Sequence, residues 1–200
     1  MTIDDVAVPP RAAQVLAFWF GEPASAAYGR ERPEWFRKDP AFDEAIRTHF
    51  GDLVQQARAQ QLQEWARQPA AALALLLVCD QFPRNLFRGQ ADAFALDARA
   101  LGLARDVVAH GWDVTLLPLQ RWFVYLPFEH AEDLAMQQEA LRLFRQLGAD
   151  DPARADLLQW AQKHHDVIAR FGRFPHRNDA LGRTSTEEET RFLAEPGSRF

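Results

Sequence analysis

The sequence predicts an all-α protein, with about seven or eight helices packed as antiparallel hairpins in a single domain spanning 1–200. Three observations predict it. Apolar residues recur at steps of three and four, as in Phe42, Ile46, Phe50, Leu53 and Ala57. No stretch alternates with period two between turn formers. Helix punctuation repeats along the chain, with Asp-Pro at 39–40 and 151–152 and glycines closing several apolar stripes. No fixed period of about 34 residues marks a regular solenoid.

The elements follow in order. Residues 1–8 read as a loose tail. Pro9-Pro10 opens a helix whose buried side is Val15, Leu16, Trp19 and Phe20, ended by Gly21. Residues 22–38 form a loop plugged onto the core by Trp35 and Phe36. Asp39-Pro40 starts the second helix, and Leu62 and Trp65 close that region. Pro69 opens the apolar run Ala70 to Cys79, where Leu73, Leu76, Leu77 and Asp80 share one face and Pro83 is the expected stop. Ala93, Phe94, Asp97, Leu101, Ala104, Arg105 and Val108 outline a helix ending at Gly111. Leu116, Leu119, Trp122, Phe123 and Leu126 outline a shorter one stopped by Pro127. Glu129-His130 then reads as the mouth of the next helix, through Leu134, Gln137, Leu141, Phe144 and Leu147 to Gly148. Asp151-Pro152 starts another, with Leu157, Trp160, Ala161, His164, Ile168 and Phe171 as its apolar stripe. Ser185-Thr186-Glu187-Glu188 reads as a capping box before a short helix, and 195–200 as a C-terminal tail.

Composition excludes several classes. A net charge of −5 without a Lys/Arg block argues against nucleic acid as a partner. The longest apolar run is about half a membrane span, so no membrane partner is expected. The single cysteine, Cys79, permits no intrachain disulfide, and Asp4 and Asp5 do not suit a signal peptide. These point to a cytoplasmic location. Neither a phosphate-cradling glycine loop nor a dinucleotide fingerprint is present, and the residues name no cofactor. Six Trp and fifteen Phe imply a core filled by large rings that could also line a cavity.

Chemistry concentrates in two boxes, Asp80-Gln81-Phe82-Pro83-Arg84-Asn85-Leu86-Phe87-Arg88-Gly89 and Phe171-Gly172-Arg173-Phe174-Pro175-His176-Arg177-Asn178. A carboxylate on a dry helix face needs a partner or a proton. The expectation is that the boxes meet and enclose a net-positive hollow for a small anionic molecule. Asp80, Glu129 and His164 are the proton-handling candidates. Arg84, Arg88, Arg173 and Arg177 are candidates to clamp the anion, with Asn85, His130, His176 and Asn178 orienting it. Glu129 and His130, read at a helix N-terminus, suit an anion. Metal binding by Asp80, Glu129, His130, His164 and His176 is the rival, but no two share a metal-ligand spacing.

The chain resembles the bacterial domain-of-unknown-function family 924 over nearly its whole length. The landmarks are Val15-Leu16-Ala17-Phe18-Trp19-Phe20-Gly21, Lys38-Asp39-Pro40-Ala41-Phe42-Asp43, the first box, Tyr125-Leu126-Pro127-Phe128-Glu129-His130, the second box with Arg170 before it, and Leu181-Gly182-Arg183-Thr184-Ser185-Thr186. Trp35-Phe36 stands where two tryptophans are usual, and His164-His165 where His-Arg is. The resemblance implies a fold similar to the tetratricopeptide-like superfamily and carries no activity. Such folds suggest a rival function, docking of a peptide or protein in a concave groove. A third reading makes the boxes structural staples.

Overall fold

The structure, a computed structural model, describes residues 7–198, and all regular elements among them are helical. The α-helices are α1 (Pro10–Phe20), α2 (Pro40–Arg58), α3 (Pro69–Leu76), α4 (Phe82–Leu86), α5 (Asp97–Ala109), α6 (Pro118–Glu129), α7 (Leu134–Asp150), α8 (Leu157–Phe171) and α9 (Glu187–Leu193). The π-helical turn Leu77–Gln81 joins α3 to α4 in one bent helical run, which brings the total to the expected number. Of the two expected tails, residues 1–6 and 199–200 lie outside the described residues.

The α3 run is the axis of the fold. Every residue from Ala71 to Pro83 is buried. A helix apolar on all sides is stable only when others surround it. Here α1, α5 and α6 pack against α3, and α2 packs against α4. The later helices α6, α7 and α8 pack consecutively as hairpins. Most of the large rings fill space between α1, α2, α4 and α6. Trp19 stacks on Trp35 at 5.8 Å and meets Phe123 edge-on at 5.6 Å, and Trp35 meets Phe123 at 4.9 Å. Phe36, expected to plug the loop, is 56% exposed and lies flat on Trp122.

Caps follow local chemistry. Asp39 accepts from the backbone N–H groups of Ala41 and Phe42, with Pro40 in the first turn. Gly172 ends α8 at φ 69°, a left-handed conformation costly for other residues. Gly148 does not end α7 as expected. It lies inside the helix because the chain returns closely there, and a Cβ would stand 2.9 Å from the Ala155 Cα.

Several boundaries differ from expectation. Pro83 and Pro127 stop nothing. Pro83 sits in the first turn of α4, and Pro127 lies inside α6. Asp151-Pro152 opens a 3₁₀ turn, and α8 begins only at Leu157. Trp160, placed on the apolar stripe by spacing, is 46% exposed with Lys163 Nζ 4.0 Å above its ring. The final capping box is shifted by one: Thr186 caps, and Glu189 reaches back to the Thr186 N–H.

A second polar cluster braces α6 against α7. The Tyr125 hydroxyl donates to Asp113 Oδ2 at 2.6 Å and accepts from Arg121 Nε at 3.2 Å, while Arg121 Nη1 donates to Asp150 at 2.8 Å. All but Asp150 are buried. Tyr125→Phe removes the partner of Asp113 Oδ2 and of Arg121 Nε, leaving Arg121 only its Asp150 contact, so it is expected to cost about 1–3 kcal/mol in urea denaturation.

Candidate active site

Asp80 sits on the π turn Leu77–Gln81, every residue of which is buried. Single π turns of this kind often occur at functional sites. Asp80 is 1% exposed, and both carboxylate oxygens are engaged. Gln81 Nε2 donates to Oδ2 at 2.6 Å, and His130 Nδ1 stands 2.8 Å from Oδ1. Arg84 Nη1 lies 3.2 Å from Oδ1. Burial by itself would raise the Asp80 carboxyl, but the Arg84 charge, His130 (charged only once it is protonated) and the hydrogen bonds from His130 and Gln81 outweigh it and hold it ionised, below the ordinary range.

Glu129 and His130 are the last residue and the C-cap of α6. The expected helix N-terminus is therefore corrected: Pro127 does not break α6, and the backbone here ends on carbonyls, which disfavour an anion. His130 is held with its Nδ1 proton toward Asp80, which leaves Nε2 with the lone pair. Burial and the Arg84 charge lower its pKa, so the ring is neutral near pH 7. Next to it, Glu129 Oε1 stands 3.0 Å from His164 Nδ1. The same nitrogen lies 2.9 Å from the Trp160 carbonyl, so it carries the hydrogen. Burial and then the nearby Asp80 charge push Glu129 up to about 8. Burial brings His164 down to about 3. The two carboxylates are thus poised oppositely, one ionised and one protonated, and the two imidazole centroids are 6.4 Å apart.

The boxes meet through a residue given no role in the sequence reading. Asp97, the first residue of α5, accepts from Arg84 Nη1 and Nη2 at 2.8 and 2.9 Å and from Arg177 Nη1 at 3.2 Å. Arg177 packs against Phe94 and Phe174, whose centroids lie 4.6 and 4.5 Å from its guanidinium carbon. Burial and Arg84 lower the Arg177 pKa to about 10. A cleft of about 380 Å³ opens here, with Asp97, His130, Glu132, Asp133 and Arg177 as its polar lining and Phe94, Leu101, Pro127 and Leu181 as its principal apolar walls.

The remaining box residues go elsewhere. Asn85 and Arg88 both donate to Asp43 of α2. Arg173 pairs with Glu189 at 2.6 and 2.8 Å, and Asn178 Nδ2 donates to Ser185 Oγ and Glu189. His176 is half-buried beside Phe174, its pKa brought down to about 4 by burial and Arg177. Arg183 donates to both oxygens of Glu132 and to Asn178 Oδ1, tying the second box to the start of α7. The expected surplus of positive charge is absent, because Asp43, Asp97 and Glu189 supply counter-charges from distant parts of the chain. Among the described residues, no group of three or more His, Cys, Asp or Glu is placed to hold a metal ion.

The fold and this center define an all-helical protein with two adjoining carboxylate–imidazole pairs at the end of one helix. The chain belongs to the family described as bacterial protein of unknown function, DUF924, whose model matches residues 15–197. It is similar to the solved protein of unknown function ATU0120 from Agrobacterium tumefaciens, with 40% identity, 92% of this chain and 96% of that chain covered, and a TM-score of 0.80. No curated protein matches it. Among the described residues no helix is long and apolar enough to cross a membrane.

Proposed function

We propose that this single helical domain is a cytoplasmic small-molecule enzyme that binds a small anionic ligand in the cleft and exchanges a proton with it through His130. One observation carries the reading: His130 lines the cleft while Asp80, ionised and wholly buried, holds its Nδ1 at 2.8 Å. This pairing fixes the tautomer and directs basicity to Nε2. Asp80 is a positioning residue, acting through the ring. Glu129, one residue before His130, keeps a proton in reserve, and His164 holds its orientation. Arg177 supplies the positive charge for the anion. Arg84 orders Asp97 and Asp80. In this reading Asn85, Arg88, Arg173 and Asn178 are staples for α2 and α9. The cytoplasmic assignment rests on the lone Cys79, whose thiol burial pushes up to about 12.

Nitrogen–proton correlation spectra of histidine-labelled protein test this. The expected result is a protonated Nδ1 on His130 and a lone-pair Nε2 resonance that moves when formate, acetate or benzoate is added. An unprotonated Nδ1, or a His130 resonance indifferent to all three, would overturn the reading.

A further inference from the structure

We infer that the ligand is a monocarboxylate with an apolar body, its carboxylate lying in the guanidinium plane of Arg177 and its body against Phe94, Leu101, Pro127 and Leu181. The inference rests on the proposed cleft and names what fills it.

Arg177 is 6% exposed, yet it is poorly matched. Its hydrogen bond to Asp97 is 3.2 Å long, and Arg84 takes both oxygens of that carboxylate at shorter range. Arg177 Nε is buried and makes no hydrogen bond among the described residues. A buried cation with one shared, long contact is costly unless another anion completes its shell. Phe94 and Phe174 both pack against the guanidinium, 4.6 and 4.5 Å from its carbon. With Nη1 turned to Asp97, Nε and Nη2 form the edge left for a further partner. Two parallel N–H groups there match the two oxygens of a planar carboxylate.

Charge decides between a carboxylate and a phosphate. Around the cleft Asp80, Asp97, Glu132 and Asp133 stand against Arg84, Arg177 and Arg183, one acid in excess. A monoanion leaves two negative charges in excess, whereas a phosphate dianion leaves three beside Asp97, Glu132 and Asp133. The cleft volume, about 380 Å³, lies at the small end for ligand sites. Its apolar walls favour a compact hydrocarbon body.

Benzoate, benzamide and inorganic phosphate are the probes, titrated into the wild type, Arg177→Gln and Ala98→Glu while the Arg177 Nε–H and His130 signals are followed. Ala98 is an exposed residue on the cleft rim, so its variant adds a carboxylate without disturbing the core. The expected result is binding of benzoate about tenfold or more tighter than either other probe, a preference lost in Arg177→Gln, and benzoate weakened severalfold in Ala98→Glu with its melting temperature unchanged. Benzamide moving His130 as strongly as benzoate, phosphate binding more tightly, or folded Ala98→Glu binding benzoate like wild type would overturn the carboxylate assignment while leaving the His130 site standing. No response of His130 or Arg177 to any probe would overturn both.

Discussion

Asp80→Ala is expected to lower the unfolding free energy by about 3–5 kcal/mol. The side chain lies on a turn buried on all sides and collects donors from Gln81, His130 and Arg84. Removing it leaves the Arg84 charge, itself mostly buried, with only Asp97, and leaves the His130 ring without its anchor. Both losses act in a region that water does not readily reach. A urea titration reads the effect as a fall in the midpoint with the slope unchanged. Arg88→Ala provides the contrast. Its guanidinium is 37% exposed, so the same measurement should return no more than about 1 kcal/mol. Equal losses in the two variants would show that the α3–α4 junction does not depend on the Asp80 center. The pH dependence has a definite sign. Asp80 titrates below its unfolded value, so its contribution is complete above the ordinary carboxylate range and disappears as pH falls through the folded value. The Asp80→Ala variant should therefore lose less stability on acidification than the wild type.

The sequence made the helices legible where short-range chemistry defines them. Asp39 caps α2 through N–H groups two and three residues on, and such a contact is visible in any window of a few residues. Asp80 was legible as an anomaly, a carboxylate among leucines. Pro127 misled because proline usually marks an end. It lies two residues before the end of α6 without ending it, despite the usual cost of a proline inside a helix, and that single shift moved Glu129 and His130 from a helix start to a helix finish. Asp97 was visible only as one more residue on a helical stripe. Its role depends on Arg177, 80 residues away, and no local periodicity encodes a pairing at that distance. The counter-charges of Arg88 and Arg173 were hidden for the same reason, since Asp43 and Glu189 are each an acid in a first helical turn, an ordinary place for one. The sequence located the polar center but misjudged its charge. Composition counts arginines, and only the fold says which acids reach them.

The second large effect concerns Glu129 and appears on the alkaline side. Its carboxyl is 4% exposed, and burial, followed by the Asp80 charge, raises it to about 8 from an ordinary 4.5. A group raised on folding contributes its full share of stability below the unfolded value and loses it as pH climbs through the folded one. The wild type is therefore expected to weaken between about pH 5 and pH 9 by on the order of 4 kcal/mol. Glu129→Gln keeps the shape and an oxygen able to accept from His164 Nδ1 while removing the titration. Denaturation at pH 5 should find the two proteins within about 1 kcal/mol, and at pH 9 the variant should be more stable by several. Coincident alkaline limbs would mean that Glu129 is already ionised at neutral pH, and with that the proton held beside His130 would be lost from the proposal. If the limbs separate as expected, the site holds an ionised acid, a neutral base and a protonated acid within two adjoining pairs, which is the asymmetry that proton exchange with a bound anion needs.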